Sequence, residues 1–297
     1  MIQNSASTSA TTWPPRLTLT GAAIAALADL GPARRLEQLS GERAQQEALG
    51  RARATSPELR RLLADAVTAV RTSLAVVVEG FPLDATALVV AAAALGRVDP
   101  HHNGPVPDTL VHHVVDSEAR PYRDPDPFHT DSPLLAHPHA YLGLLCVRPS
   151  PTGDGRTALV SAADVTAEIA DHGHRRALQD PCYPFAVPHP PATAPPSATT
   201  HPILTVSDDG DTAVRYCPVR VTAGVRLPGH ALDARHADAL HAFERALARQ
   251  HLPTVFLLRT GDLLLLDNRR LLHGRTDVGP AGTGRHLMRV KVRGSRS

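Results

Sequence analysis

Two hydrophobic periods divide this chain. From Thr18 to about Arg71 apolar residues recur at spacings of three and four, most clearly at Leu59, Leu62, Leu63, Ala66 and Val70, the repeat of a helix that buries one face. The pattern then changes. Ser73 to Gly80 is a nearly unbroken apolar run stopped by glycine, the form of a buried strand, and Asp84 opens a helix running to about Leu95. Beyond Asp99 the apolar segments are short and strand-like, at Leu110–Val115, Tyr141–Val147, Arg156–Val160, Val255–Leu258, Asp262–Leu266 and Leu287–Val292. Ser161–His172 and Asp233–Gln250 read as helices between them. A helical start followed by many strands predicts a mainly β protein with flanking helices, an α+β jelly roll or barrel.

Polar stretches set the remaining divisions. Residues 1–15, rich in Ser and Thr and closing on Trp13, Pro14 and Pro15, form an arm that is ordered only if docked. Residues 178–203 contain eight prolines, too many for a central strand or helix. A long loop inside a compact domain has a function or lacks order, and a lid over a site is the functional form. The expected organisation is one domain over 16–297, with a helical part at 16–72, a β core at 73–293 and a lid at 178–203.

Composition mainly excludes. Aromatic residues are 3% of the 297, so Ala, Val and Leu must build the core. A net charge of +2 without a Lys/Arg block gives no nucleic-acid footprint. The apolar stretch Ser73–Leu95 is broken by Glu79, Pro82 and Asp84, which argues against a membrane span. No basic region precedes an apolar stretch in the first 30 residues, and Cys146, Cys182 and Cys217 lack CxxC spacing; both fit a reduced, cytoplasmic protein.

The candidate chemistry lies in Phe128-His129-Thr130-Asp131-Ser132. On a strand, His129 and Asp131 face one side, and Pro125, Pro127 and Pro133 make a helix there improbable. With His273, which follows an apolar strand into a polar turn, they would make a two-histidine, one-carboxylate triad suited to non-haem iron(II). The chain has 17 histidines, so turn-forming hydrogen bonds and a surface His273 are competing readings. His236-Ala237-Asp238 serves as an internal control: it has the same spacing, but its helical context turns the two side chains apart and predicts a solvated helix face. Further on, Arg285 and Arg289 are four apart and on an extended strand would share a face about 13 Å apart, an arrangement that calls for anions.

Taken in order, His129-Thr130-Asp131, Gly155-Arg156-Thr157, Gly261-Asp262 through Asp267-Asn268, His273-Gly274-Arg275 and Arg285 to Arg289 resemble the taurine dioxygenase and clavaminate synthase group of iron(II)/2-oxoglutarate-dependent oxygenases. The resemblance spans roughly residues 73–293, and the helical segment before it is more like the clavaminate synthase relatives. It implies a double-stranded β-helix (jelly-roll) core. It also implies that His129, Asp131 and His273 hold iron(II), that Arg285 clamps the distal carboxylate of 2-oxoglutarate, and that Thr157 donates a hydroxyl hydrogen bond to the same co-substrate. Arg289 matches a position that meets an acidic group of the primary substrate in several relatives.

The implied reaction consumes O2 and 2-oxoglutarate, releases succinate and CO2, and hydroxylates, desaturates or cyclises an unactivated C–H position. The implied substrate is a small molecule, an amino acid or related carboxylate of natural-product metabolism, free or tethered to a carrier protein. Two other classes compete. One is a zinc-dependent hydrolase or lyase on the same triad, which would leave the two arginines without a purpose. The other is a non-catalytic binding protein that keeps the jelly roll.

Overall fold

The computed structural model describes residues 13–29, 36–103, 106–115, 126–190, 195–207, 210–276 and 284–294. Two sheets lie at its centre. The larger has seven strands, in the order Arg16–Thr18, Ala75–Glu79, Leu263–Asp267, Tyr141–Arg148, His286–Gly294 and Gly96–Asp99, with His112–Val115 also paired to His286–Gly294. Only its first pair is parallel. The smaller runs Thr254–Phe256, Thr157–Ser161, Leu271–Arg275 and Asp126–His129, antiparallel throughout.

The apolar runs are continuous because the strands of the larger sheet are covered on both faces. Along Leu263–Asp267 and Ala75–Glu79 alternate residues enter different cores. Leu264, Leu266, Ala75 and Val77 meet Leu159 and Leu271 of the smaller sheet, whereas Leu263, Leu265, Val76 and Val78 meet the N-terminal helices through Leu59, Leu63, Val70 and Leu88. Gly143 keeps that outer face close, since a Cβ there would stand 2.8 Å from Val290 Cγ2. The back of the smaller sheet, through Val160 and Leu272, carries a third core with Tyr183, Phe185 and Phe243. Helices, sheet, sheet and helices are therefore stacked as the layers of a double-stranded β-helix. No helix among the described residues is long and apolar enough to cross a membrane.

The elements depart from the sequence expectation in three places. Arg16–Thr18 is an edge strand inside a segment expected to be helical; it is held by parallel pairing to Val77–Glu79 and by Trp13, whose indole donates to the Ser73 carbonyl at 2.8 Å. The arm is thus docked at its C-terminal end, and its residues 1–12 lie outside the described residues. The helix expected over Ser161–His172 is two short helices, Ala162–Ala167 and His172–Ala177, because the Asp171 carboxylate accepts from Gly173 and His174 amides and restarts the turn. The proline-rich segment contains a two-stranded ribbon, Tyr183–Ala186 with Ala198–His201. It forms away from the main sheets, where a missing amide is tolerated, and its Tyr183 and Phe185 are fully buried. Residues 191–194 of that segment lie outside the described residues. His273, by contrast, stands at a strand site as expected, past the polar turn that follows Leu263–Asp267.

Leu265 touches both helical and sheet partners and is 2% exposed. Leu265→Ala should lower unfolding free energy by about 2–5 kcal/mol, read as a shifted urea midpoint with little change in slope.

Candidate functional site

Register in the smaller sheet assembles the first part of the site. In Leu271–Arg275, Leu271 faces the core between the sheets and Leu272 the outer core, so His273 points inward by alternation. His129 is its cross-strand partner, and the two imidazole centroids are 4.3 Å apart. On the other side Arg275 pairs with Thr157. The expectation that His129 and Asp131 share a strand holds for His129 only. The strand ends there, and Asp131 lies just beyond it, before Ser132, whose φ of 63° turns the chain away.

Asn268 holds the Asp131 loop where strand pairing has stopped. Its side chain accepts from the Asp131 amide at 2.7 Å and donates to the carbonyls of Asp131 at 3.1 Å and His139 at 2.8 Å. It is 1% exposed, immediately past the central strand Leu263–Asp267. One buried amide thereby ties the loop to the most deeply covered strand of the larger sheet.

The donor set suits a divalent transition metal. His129, Asp131 and His273 offer ligand atoms that all lie within 4.8 Å of one another. His129 Nδ1 is 2.8 Å from the Pro127 carbonyl; donating there leaves Nε2 as the ring's acceptor, 3.9 Å from Asp131 Oδ1. Burial, followed by the charge of His129, pushes His273 down to about 3, so its ring is neutral at physiological pH. Its Nδ1 is buried with no hydrogen-bond partner. Burial alone would raise the Asp131 carboxyl, but Arg289 and Lys291, then the two histidines, hold it well below the usual carboxylate range. Two imidazoles and one carboxylate on one face match a two-histidine, one-carboxylate metal site.

A cavity extends from the triad between the sheets. Its lining includes His129, His273, Thr157, Arg275, Arg285 and Arg289, with Leu144 and Leu287 as an apolar side. Arg285 and Arg289 do not share one regular strand face, because Arg285 precedes the strand His286–Gly294 and a register shift falls between His286 and Leu287. Both nevertheless reach the same cavity. Arg289 Nη1 lies 3.0 Å from Asp131 Oδ2 and 3.3 Å from Oδ1, and Lys291 Nζ lies 3.7 Å from Oδ2.

The sequence reading thus placed six residues, all of which come together here, and missed others. Asn268 and Arg275 stood in the matched motifs without a role. Lys291, the only lysine in the chain, is two residues beyond Arg289, a spacing that on a strand predicts the same face. The control pair behaves as its helical context requires: Asp238 is exposed on the helix, whereas His236 is packed. His236 lies against Asp180 at 3.0 Å and the cap residue Asp233 at 2.8 Å, and is 13% exposed.

Comparison with known proteins agrees with this geometry. Residues 37–291 match the model of a family described as "Taurine catabolism dioxygenase TauD, TfdA family". Among solved structures, the chain resembles asparagine oxygenase in complex with Fe(II), 2S,3S-3-hydroxyasparagine and succinate, with a TM-score of 0.70, 24% identity and coverage of 94% of this chain and 93% of that one. It also resembles the non-heme iron oxygenase OrfP in complex with Fe and alpha-ketoglutaric acid, with a TM-score of 0.68, 20% identity and 94% coverage of both chains. OrfP in complex with Fe and L-Arg gives a TM-score of 0.68 at 19% identity, covering 94% of this chain and 93% of that one. A sequence search of curated proteins returns no match.

Removing the clamp on the Asp131 loop should loosen the ligand set. Asn268→Ala should weaken divalent-metal affinity by about 10–100-fold, measured by competition with a coloured chelator using cobalt(II). An unchanged affinity would show that the loop holds its place without Asn268.

Proposed function

This chain belongs to the taurine catabolism dioxygenase TauD, TfdA family, and on that premise we propose that it is an iron(II)- and 2-oxoglutarate-dependent oxygenase that hydroxylates a small amino-acid substrate. The observation that carries the reading is the convergence of His129, Asp131 and His273, with ligand atoms within 4.8 Å, at a cavity that also receives Thr157 and Arg285. Solved proteins of like fold support the substrate class, since one is an asparagine oxygenase and another was solved with L-Arg.

When bound, iron(II) and 2-oxoglutarate supply with O2 the oxidising power to abstract hydrogen from an unactivated C–H bond, leaving succinate and CO2. The chain's own residues hold and orient. His129 and His273 present ring nitrogens, the second on an imidazole that burial keeps neutral, and Asp131 an oxygen that the neighbouring cations keep ionised. Arg285 offers a guanidinium fork for the distal carboxylate of 2-oxoglutarate, and Thr157, 5% exposed, a hydroxyl for the same molecule. Leu144 and Leu287 keep water from that end of the cavity. Residues 187–190 with Pro196 and the helix Pro218–Val225 border a groove of about 590 Å³ that reaches Pro127, two residues from His129. That groove is the approach to the site, and the proline-rich segment is its cover.

The test is anaerobic spectroscopy followed by turnover. Iron(II) plus 2-oxoglutarate should give a weak visible charge-transfer band, and adding air with a productive amino acid should give succinate in proportion to substrate consumed. His129→Ala should abolish both signals. Arg285→Ala should raise the 2-oxoglutarate KM by about tenfold or more, with iron binding retained. A chelator should stop turnover and iron(II) restore it, whereas full activity with zinc alone would assign the site to another reaction class.

A further inference from the structure

The turn that carries Asp131 is gripped twice. Asn268 holds its two ends, through the Asp131 amide and carbonyl and the His139 carbonyl. Arg215 holds its middle: Nη1 donates to the carbonyls of Pro133 at 3.2 Å and Leu135 at 3.0 Å, and Nη2 to that of Ala136 at 3.0 Å. The guanidinium is half-buried, and no acid of the described residues pairs with it, so its charge rests on carbonyl dipoles. The turn also closes on itself, with Ser132 Oγ 2.7 Å from His139 Nδ1 and the Leu135 amide donating to the Ser132 carbonyl at 3.1 Å. It therefore behaves as one body.

The backbone of Arg215 is tied elsewhere, to the base of the proline-rich cover. Leu178 and Ile203, its two ends, meet: the Leu178 carbonyl accepts from the Ile203 amide at 2.9 Å and the Leu204 amide at 3.0 Å, and the Ile203 carbonyl accepts from the Arg215 amide at 2.9 Å. Both end residues are fully buried. On one side of Arg215, the Val214 amide donates to the Arg269 carbonyl at 2.7 Å, next to Asn268. On the other, the Thr130 amide donates to the Tyr216 carbonyl at 2.7 Å and the Tyr216 amide to Thr130 Oγ1 at 3.1 Å. Three consecutive residues thus join the point where the cover closes to the chain on both sides of Asp131. Arg215 alone spans the two with one residue, its backbone on the cover and its rigid fork on the turn, so a shift at the base of the cover is passed to the metal-ligand turn.

We propose that Arg215 is a positioning residue that couples the proline-rich cover to the metal triad: with the cover seated, its guanidinium holds the Asp131 turn in place for a metal, and a metal on the triad in turn holds the cover. This deepens the reading above and rests on it, since it requires that His129, Asp131 and His273 bind a divalent ion. The effect runs both ways, because the factor by which a seated cover raises metal affinity is the factor by which metal favours the seated cover.

The experiment uses the full chain and cobalt(II), which reads the site without turnover. Competition with a coloured chelator gives the affinity, and hydrogen–deuterium exchange gives the order of the cover in peptides spanning Tyr183–Ala186 and Ala198–His201. In the unaltered chain cobalt(II) should slow exchange in those peptides by about threefold or more, and His129→Ala should abolish the slowing. Arg215→Met should weaken cobalt(II) affinity by about tenfold or more and remove the slowing. Arg270→Met cuts the ion pair to Asp211 at 2.9 Å, in the neighbouring ribbon, and leaves the Asp131 turn alone; both readouts should stay within about twofold of the unaltered chain. If Arg215→Met does not fold, Arg215→Lys takes its place, since one ammonium cannot serve three carbonyls along a turn; it should show a smaller loss of affinity and the same loss of slowing.

Unchanged affinity in the Arg215 variants would overturn the proposal, as would protection of the cover by metal that persists in them or is lost equally in Arg270→Met. If the unaltered chain binds no cobalt(II) that His129→Ala removes, the metal-site reading fails and this inference with it. If cobalt(II) binds at the triad and the cover is not protected, only the inference fails.

Discussion

The carboxylate of Asp131 is the charge on which the interior of this protein depends. It stands beside two buried cations, Arg289 and Lys291, in a sandwich whose other inward residues are largely aliphatic. Without it those cations would face one another across a medium that screens poorly. Their positive field in turn keeps the carboxyl ionised despite its burial. On the proposed reading the same oxygens would also meet a metal, so a metal and Arg289 would address one group. A site of this kind is polarised before any ligand arrives, and preorganised charge in a dry cavity is what such chemistry uses.

Two devices deliver Asp131 to that point, and they come from different sheets. Pairing of Asp126–His129 against Leu271–Arg275 brings the two imidazoles side by side, tilted at 49°. Asn268, at the end of a strand of the opposite sheet, captures the backbone of Asp131 after the pairing has ended. The triad therefore reports the relative position of the two sheets. The aliphatic core between them, with Leu142, Leu264, Leu266, Leu159 and Leu271 fully buried, does more than stabilise the fold, since it sets the distance across which the ligands meet.

Much of this was legible in the chain. The two hydrophobic periods located the helical layer and most strands to within a few residues, because runs buried on both faces and amphipathic helices leave different spacings. Proline around His129 and Asp131 signalled extended backbone, and the ordered motifs carried residues that the fold brings to one cavity. The errors share a cause. Arg16–Thr18 forms a strand because a partner at Val77–Glu79 is available, and the Tyr183–Ala186 ribbon forms because Tyr183 and Phe185 fill a core. Each depends on residues far away in sequence, which a local period does not record.

By itself, then, the sequence determined the layered class, the two histidines and the carboxylate as candidates, and the presence of Thr157, Arg285 and Arg289 at spacings that suit a shared cavity. Side-chain alternation and composition are local properties, and they are written residue by residue. Only the tertiary structure decided that Asp131 leaves its strand and is held by Asn268, and that Arg289 and Lys291 both lean on it. Those facts follow from sheet register and a shift within one strand, and each is set by packing across the interior, where electrostatic balance is decided by distance in space and not by distance along the chain.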